Sequence, residues 1–114
     1  MRTLIVEDDF LLATSLCAAL QSNGHEAVGP ASSLQQARAL SMGDVDAAIL
    51  DANLKGESTA PLAMELNERG IPFVVYTGYS RDHLDPPLRT AKVVSKPADL
   101  NRLVQIVEAK VDCA

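Results

Sequence analysis

Continuous apolar runs stand at residues 3–7 (TLIVE), 47–51 (AAILD), 72–77 (PFVVYT) and 91–95 (AKVVS), with a weaker run at 25–29 (HEAVG). Most of them lack the apolar and polar alternation of a sheet with one wet face, which predicts parallel strands covered on both sides. Amphipathic segments lie between them. Residues 9–24 (DFLLATSLCAALQSNG) put Leu12, Leu16, Ala19 and Leu20 on one helical face and end at Gly24. Residues 32–43 (SSLQQARALSMG) predict a helix opened by a capping box of Ser32 with Gln35 and stopped at Gly43. In residues 58–70 (STAPLAMELNERG), Pro61 suits a first helical turn and Gly70 the stop. Residues 98–111 (ADLNRLVQIVEAKV) carry Leu100, Leu103, Val104, Val107 and Val111 at helical spacing.

Strand and helix alternate along the whole chain, with no repeat, linker or low-complexity tract. The pattern predicts one domain over residues 1–114, an α/β fold with a doubly wound five-stranded parallel sheet and right-handed crossovers. A flavodoxin-like strand order, 2-1-3-4-5, sets the first and third strands side by side at the switch point, where such sheets bind ligands beyond their carboxyl ends. One stretch breaks the rhythm. Residues 80–92 (SRDHLDPPLRTAK) hold Pro86 and Pro87, which oppose a long helix, and their apolar anchors are Leu84 and Leu88. A fourth helix reduced to a turn or two over 80–85, followed by a mobile loop, is expected.

Composition narrows the function. The 114 residues are 47% hydrophobic and 22% charged, a soluble globular balance, and the net charge of −5 argues against a nucleic-acid surface. No apolar run is long enough for a bilayer span and the first residues show no signal-peptide pattern, so the cytoplasm is the expected compartment. Cys17 and Cys113 form neither a disulfide framework nor a zinc site, and Cys17 reads as a small core residue. His25 and His83 lack ligand partners nearby in sequence and are expected to be solvated.

The strand ends hold the candidate chemistry. The first strand ends in Glu7, Asp8 and Asp9, the third in Asp51, the fourth in Thr77 and the fifth in Ser95 and Lys96. With the first and third strands adjacent, Asp8 and Asp51 face each other, and two carboxylates so close destabilise one another unless a cation intervenes. Donors that are all oxygen point to Mg²⁺ or Mn²⁺. A hydroxyl (Thr77) and an ammonium (Lys96) opposite them suit a phosphoryl group, with Asp51 as the nucleophile that carries it.

This set of residues, each behind its expected strand, resembles the receiver domain of bacterial two-component response regulators, and the likeness runs over essentially the whole chain. The resemblance implies Asp51 as phospho-acceptor, Asp8 as a direct Mg²⁺ ligand, Glu7 acting through water and Asn53 supplying a backbone carbonyl. It also implies that Thr77 and Lys96 bind phosphoryl oxygens and that the Lys96–Pro97 bond is cis. Asp9 is assigned to the start of the first helix. Residues 72–79 (PFVVYTGY) are similar to the Pro-Phe-x-Phe-Ala-Thr-Gly-Tyr motif of an atypical single-domain subgroup, but Val75 and Tyr76 stand where that motif has Phe and Ala. Val93 and Val94 occupy the usual neighbourhood of an aromatic switch residue, which makes Tyr79 the switch candidate.

The expected role is a signalling acceptor rather than an enzyme with turnover. A histidine kinase or phosphotransfer protein donates the phosphoryl group, and a downstream protein reads the 80–92 loop, the fifth strand and the last helix. With no output domain expected after that helix, the chain acts by protein contact or as a phosphate sink. Two other classes compete: a phosphorylation-independent interaction module, and an aspartyl-nucleophile phosphohydrolase. The second would want an acid two residues after Asp51, where Asn53 stands.

Overall fold

Each apolar run becomes a strand in the computed structural model, which describes residues 1–112. Cys113 lies outside the described residues. In chain order the elements are β1 (Arg2–Val6), α1 (Phe10–Ser22), β2 (Glu26–Ala31), α2 (Leu34–Ser41), β3 (Ala47–Leu50), β4 (Asn53–Leu54), β5 (Glu57–Ser58), α3 (Ala60–Glu68), β6 (Phe73–Thr77), β7 (Lys92–Ser95) and α4 (Leu100–Asp112). Two 3-10 turns, Arg81–His83 and Pro86–Thr90, fill the stretch between β6 and β7.

The main sheet is parallel with the order β2-β1-β3-β6-β7, which is the flavodoxin-like winding read from the sequence. Its three central strands, β1, β3 and β6, are buried on both faces, which is why their sequences are continuous apolar runs, while the edge strands β2 and β7 are partly exposed. Leu4, Val6, Leu50 and Val75 pack with Leu62 and Leu66 of α3 and with Leu88. On the other face, Ile5, Ile49, Val74 and Tyr76 pack with Leu16 and Leu20 of α1 and with Leu103, Val104 and Val107 of α4. Among the described residues, no helix is long and apolar enough to cross a membrane.

Four local features differ from expectation. The cap of α2 sits one residue later: Ser33 Oγ accepts from the Gln36 backbone N–H at 3.1 Å, while Gln36 Oε1 accepts from the N–H and hydroxyl of Ser32. The pair Ser33 and Gln36 has the same spacing as Ser32 and Gln35, and only Gln36 faces the helix start. His25 is not solvated. Its Nε2 lies 2.6 Å from Glu108 of α4 and its Nδ1 3.2 Å from the Met1 amino group. Residues 53–58, assigned no element from the sequence, form the hairpin β4–β5, turned by Lys55 and Gly56 at φ 51° and 91°.

The fourth difference is the segment before β7. A helix of at most a turn or two was expected there, then a loop; the structure has two 3-10 turns, the second at Pro86–Thr90 where the loop was expected. The two prolines exclude an α-helix but suit the first positions of a short turn. Leu84 and Leu88 are both buried, and Arg81 donates to the backbone carbonyls of Arg89 and Ala91. Ser58 Oγ donates to Asp85 at 2.6 Å, joining this segment to β5.

Candidate functional site

Backbone pairing at the carboxyl ends of β1 and β3 brings the predicted acids together. The Asp51 N–H donates to Val6 O at 2.9 Å, and the Glu7 N–H to Ala31 O at 2.9 Å, so both residues leave the sheet at the same level. One carboxylate oxygen from each of Glu7, Asp8 and Asp51 lies within 4.8 Å of the others. Asp9 takes no part. It is the N-cap of α1, its Oδ1 accepting from the N–H groups of Leu11 and Leu12.

The three acids are held differently. Glu7 is 3% exposed, and its Oε2 accepts from the Asp9 N–H at 3.1 Å. Asp8 Oδ2 accepts from the Lys55 N–H at 3.0 Å, which ties the cluster to the turn of the β4–β5 hairpin. Asp51 Oδ1 accepts from the Ala52 N–H at 2.7 Å, and its carbonyl accepts from Thr59 Oγ1 at 2.6 Å. Asn53, expected to offer its carbonyl, uses its side chain to accept from the Gly56 N–H at 2.7 Å, closing the hairpin turn.

Lys96 completes the cluster from β7. Its Nζ donates to Glu7 Oε1 at 2.7 Å and to Asp51 Oδ2 at 3.0 Å. Burial pushes the Glu7 carboxyl above its usual range, against the lowering by the Lys96 and Asp9 hydrogen bonds; the Asp51 charge raises it further. Burial also works against the Lys96 ammonium, but its hydrogen bonds and charge pairing with Glu7 and Asp51 outweigh that and raise its pKa. Three carboxylates thus face one ammonium. The excess negative charge and the all-oxygen donor set fit a hard divalent cation.

Thr77 is fully buried at the end of β6; its Oγ1 accepts from the Tyr79 N–H at 3.2 Å and its carbonyl accepts from the Lys96 N–H at 2.9 Å. Tyr79 is 54% exposed and lines a cavity of about 220 Å³ with Asn53, Ser58, His83 and Leu84. Sequence reasoning missed Tyr76. Its ring is 2% exposed, 5.6 Å from Lys96 Nζ, and its hydroxyl accepts from the Ala98 N–H at 2.9 Å. The available signals were a large aromatic residue directly before Thr77 in β6 and its departure from the Ala of the subgroup motif. Thr59 was also missed, because its bond to Asp51 crosses the hairpin.

No family model matches the chain. It is 34% identical over 107 residues to the response regulator receiver protein Anae109_2439 of Anaeromyxobacter sp. (strain Fw109-5), covering 90% of this chain and 42% of that protein. It is also 37% identical to SdrG from Sphingomonas melonis Fr1, whose solution structure it matches with a TM-score of 0.82 over 97% of this chain and 95% of that one. The chain belongs to the response regulator receiver family. This receiver spans about half the length, or less, of the curated relatives it matches. SdrG is also known in a BeF3-activated conformation, matched with a TM-score of 0.77. TrrA from Thermotoga maritima, solved in complex with Mg²⁺ and BeF, is 26% identical, with a TM-score of 0.80 over 95% of this receiver and 96% of TrrA.

Proposed function

We propose that this receiver accepts a phosphoryl group on Asp51 and so serves phosphorylation-dependent two-component signalling. The observation that carries this reading is the juxtaposition of Asp51 with two further carboxylates and one ammonium at the end of β3. An Asp51 carboxylate oxygen attacks the phosphorus of a phosphohistidine on a histidine kinase or phosphotransfer protein. The O–P bond forms as the P–N bond breaks, and the electron pair leaves on the imidazole, which takes a proton from water.

Asp8 and Asp51 would hold Mg²⁺ with the Asn53 carbonyl, and Glu7 would support it through water; the ion would supply charge neutralisation at the phosphoryl oxygens. Lys96 already reaches Asp51, so a short movement lets its ammonium meet a phosphoryl oxygen. The Thr77 hydroxyl, on the strand next to β3, turns to do the same, and the Tyr79 N–H that donates to it carries this movement to Tyr79. The segment 80–92, β7 and α4 then offer a changed surface to a downstream protein. In this reading the chain is a signalling acceptor rather than a turnover enzyme.

The test is incubation of wild type and Asp51→Asn with Mg²⁺ and a phosphodonor, acetyl phosphate or a phosphorylated kinase. Labelling of the wild type alone is expected. Equal labelling of both proteins would overturn the assignment.

A further inference from the structure

The loop that carries Lys96 is fastened by two consecutive residues of β6. The Lys96 N–H donates to Thr77 O at 2.9 Å, Pro97 has no N–H to offer, and the Ala98 N–H donates to the Tyr76 hydroxyl at 2.9 Å. The backbone on both sides of Pro97 is therefore held by Tyr76 and Thr77. Tyr76 also touches the other end of the same side chain. Its ring face lies 5.6 Å from Lys96 Nζ, within the range at which an aromatic face attracts a cation.

These contacts constrain where the ammonium can go. A lysine side chain has four rotatable bonds and loses much entropy when fixed, and this one is still 23% exposed. Glu7 and Asp51 draw its head toward the carboxylates. The Tyr76 ring faces the ammonium and is itself packed in the core on the α1 and α4 side of the sheet. A donor held this way needs little reorganisation when charge appears on the acceptor.

We infer that Tyr76 is a positioning residue for phosphoryl transfer, its hydroxyl fixing the Lys96-Pro97-Ala98 backbone and its ring face fixing the direction of the Lys96 ammonium. The inference rests on the reading of Asp51 as phospho-acceptor. Tyr76 touches none of the three carboxylates through a hydrogen bond and reacts with nothing. It acts through Lys96. The hydroxyl and the ring make separable contributions, because Phe keeps the second and loses the first.

The test compares wild type, Tyr76→Phe, Tyr76→Leu and Asp51→Asn in the full chain with Mg²⁺ and acetyl phosphate, recording maximal rate and half-saturating donor concentration separately. NMR supplies two structural readouts on the same proteins: the ring-current shift of the Lys96 Hε protons and the exchange rate of the Ala98 amide. Tyr76→Phe is expected to speed Ala98 exchange while keeping the Lys96 shift, and to lower the maximal rate several-fold at unchanged half-saturation. Tyr76→Leu is expected to abolish the shift and lower the maximal rate by roughly ten-fold or more, as loss of a preorganised donor does. Maximal rates within two-fold of wild type in both variants overturn the inference, as does a Lys96 shift that survives in Tyr76→Leu. An unlabelled wild type, by contrast, overturns the Asp51 reading itself, while the two NMR readouts still decide whether Tyr76 holds Lys96.

Discussion

The Lys96 ammonium lies 2.7 Å from Glu7 Oε1, and Glu7 is almost wholly buried. Removing one partner of a buried pair leaves the other charge uncompensated, which costs about 3–5 kcal/mol. Lys96→Met is therefore expected to lose roughly 3 kcal/mol or more at pH 7 in urea unfolding, since Asp51 also loses its cation. The sign of the pH dependence follows from both shifts. Glu7 is raised above 4.5, so its contribution to stability is fully present below pH 4.5 and is lost as pH rises through its folded value. Lys96 is raised above 10.5, so its contribution spans the neutral range and is lost as pH climbs through its folded value. The deficit of Lys96→Met should accordingly shrink as pH falls toward 4.5 and Glu7 takes up its proton. Equal deficits at pH 4.5 and pH 8 would contradict the pairing.

Asp8 gives a measurement that needs no phosphate. If Glu7, Asp8 and Asp51 hold Mg²⁺ in the folded state only, binding adds about 2.7 kcal/mol at a free Mg²⁺ of 100 times Kd. For a domain of this size that corresponds to a rise of very roughly 8–12 °C in Tm. Asp8→Asn should abolish the rise while leaving the metal-free protein as stable as wild type or more so, because it removes one of three crowded carboxylates. A Mg²⁺-induced rise of the same size in Asp8→Asn would argue for a site elsewhere.

Leu88 tests how firmly the segment before β7 is packed. Its side chain is 1% exposed and joins the cluster that contains Leu62, Leu66 and Val75. Leu88→Ala should cost about 2–5 kcal/mol, as buried leucine truncations do. A cost below 1 kcal/mol, measured by urea unfolding, would mean that the second 3-10 turn is not anchored there.

The same segment marks where sequence reading stops. The parallel sheet was legible because strands buried on both faces must be apolar throughout, and the acids that end them stood out against those runs. Tyr76 was not legible. In a strand buried on both faces, periodicity does not separate a side chain that only fills space from one that reaches a neighbouring loop, and Tyr76 does both. The hairpin strands β4 and β5 have two residues each, too few for any alternation to register. The cap at Ser33 was ambiguous because two adjacent serines each have a glutamine three positions on. His25 found its partner 83 residues away, a contact that no local pattern encodes.

The Arg81 side chain reaches back to the carbonyls of Arg89 and Ala91, so the stretch between them is a hoop rather than a ribbon. Buried Leu84 and Leu88 fasten this hoop to the core from within. Its far foot, Ala91, leads directly into β7, the strand that delivers Lys96 to the carboxylates. That strand is only four residues long, so the hoop and the acid cluster stand at its two ends with nothing but a short span of backbone between them.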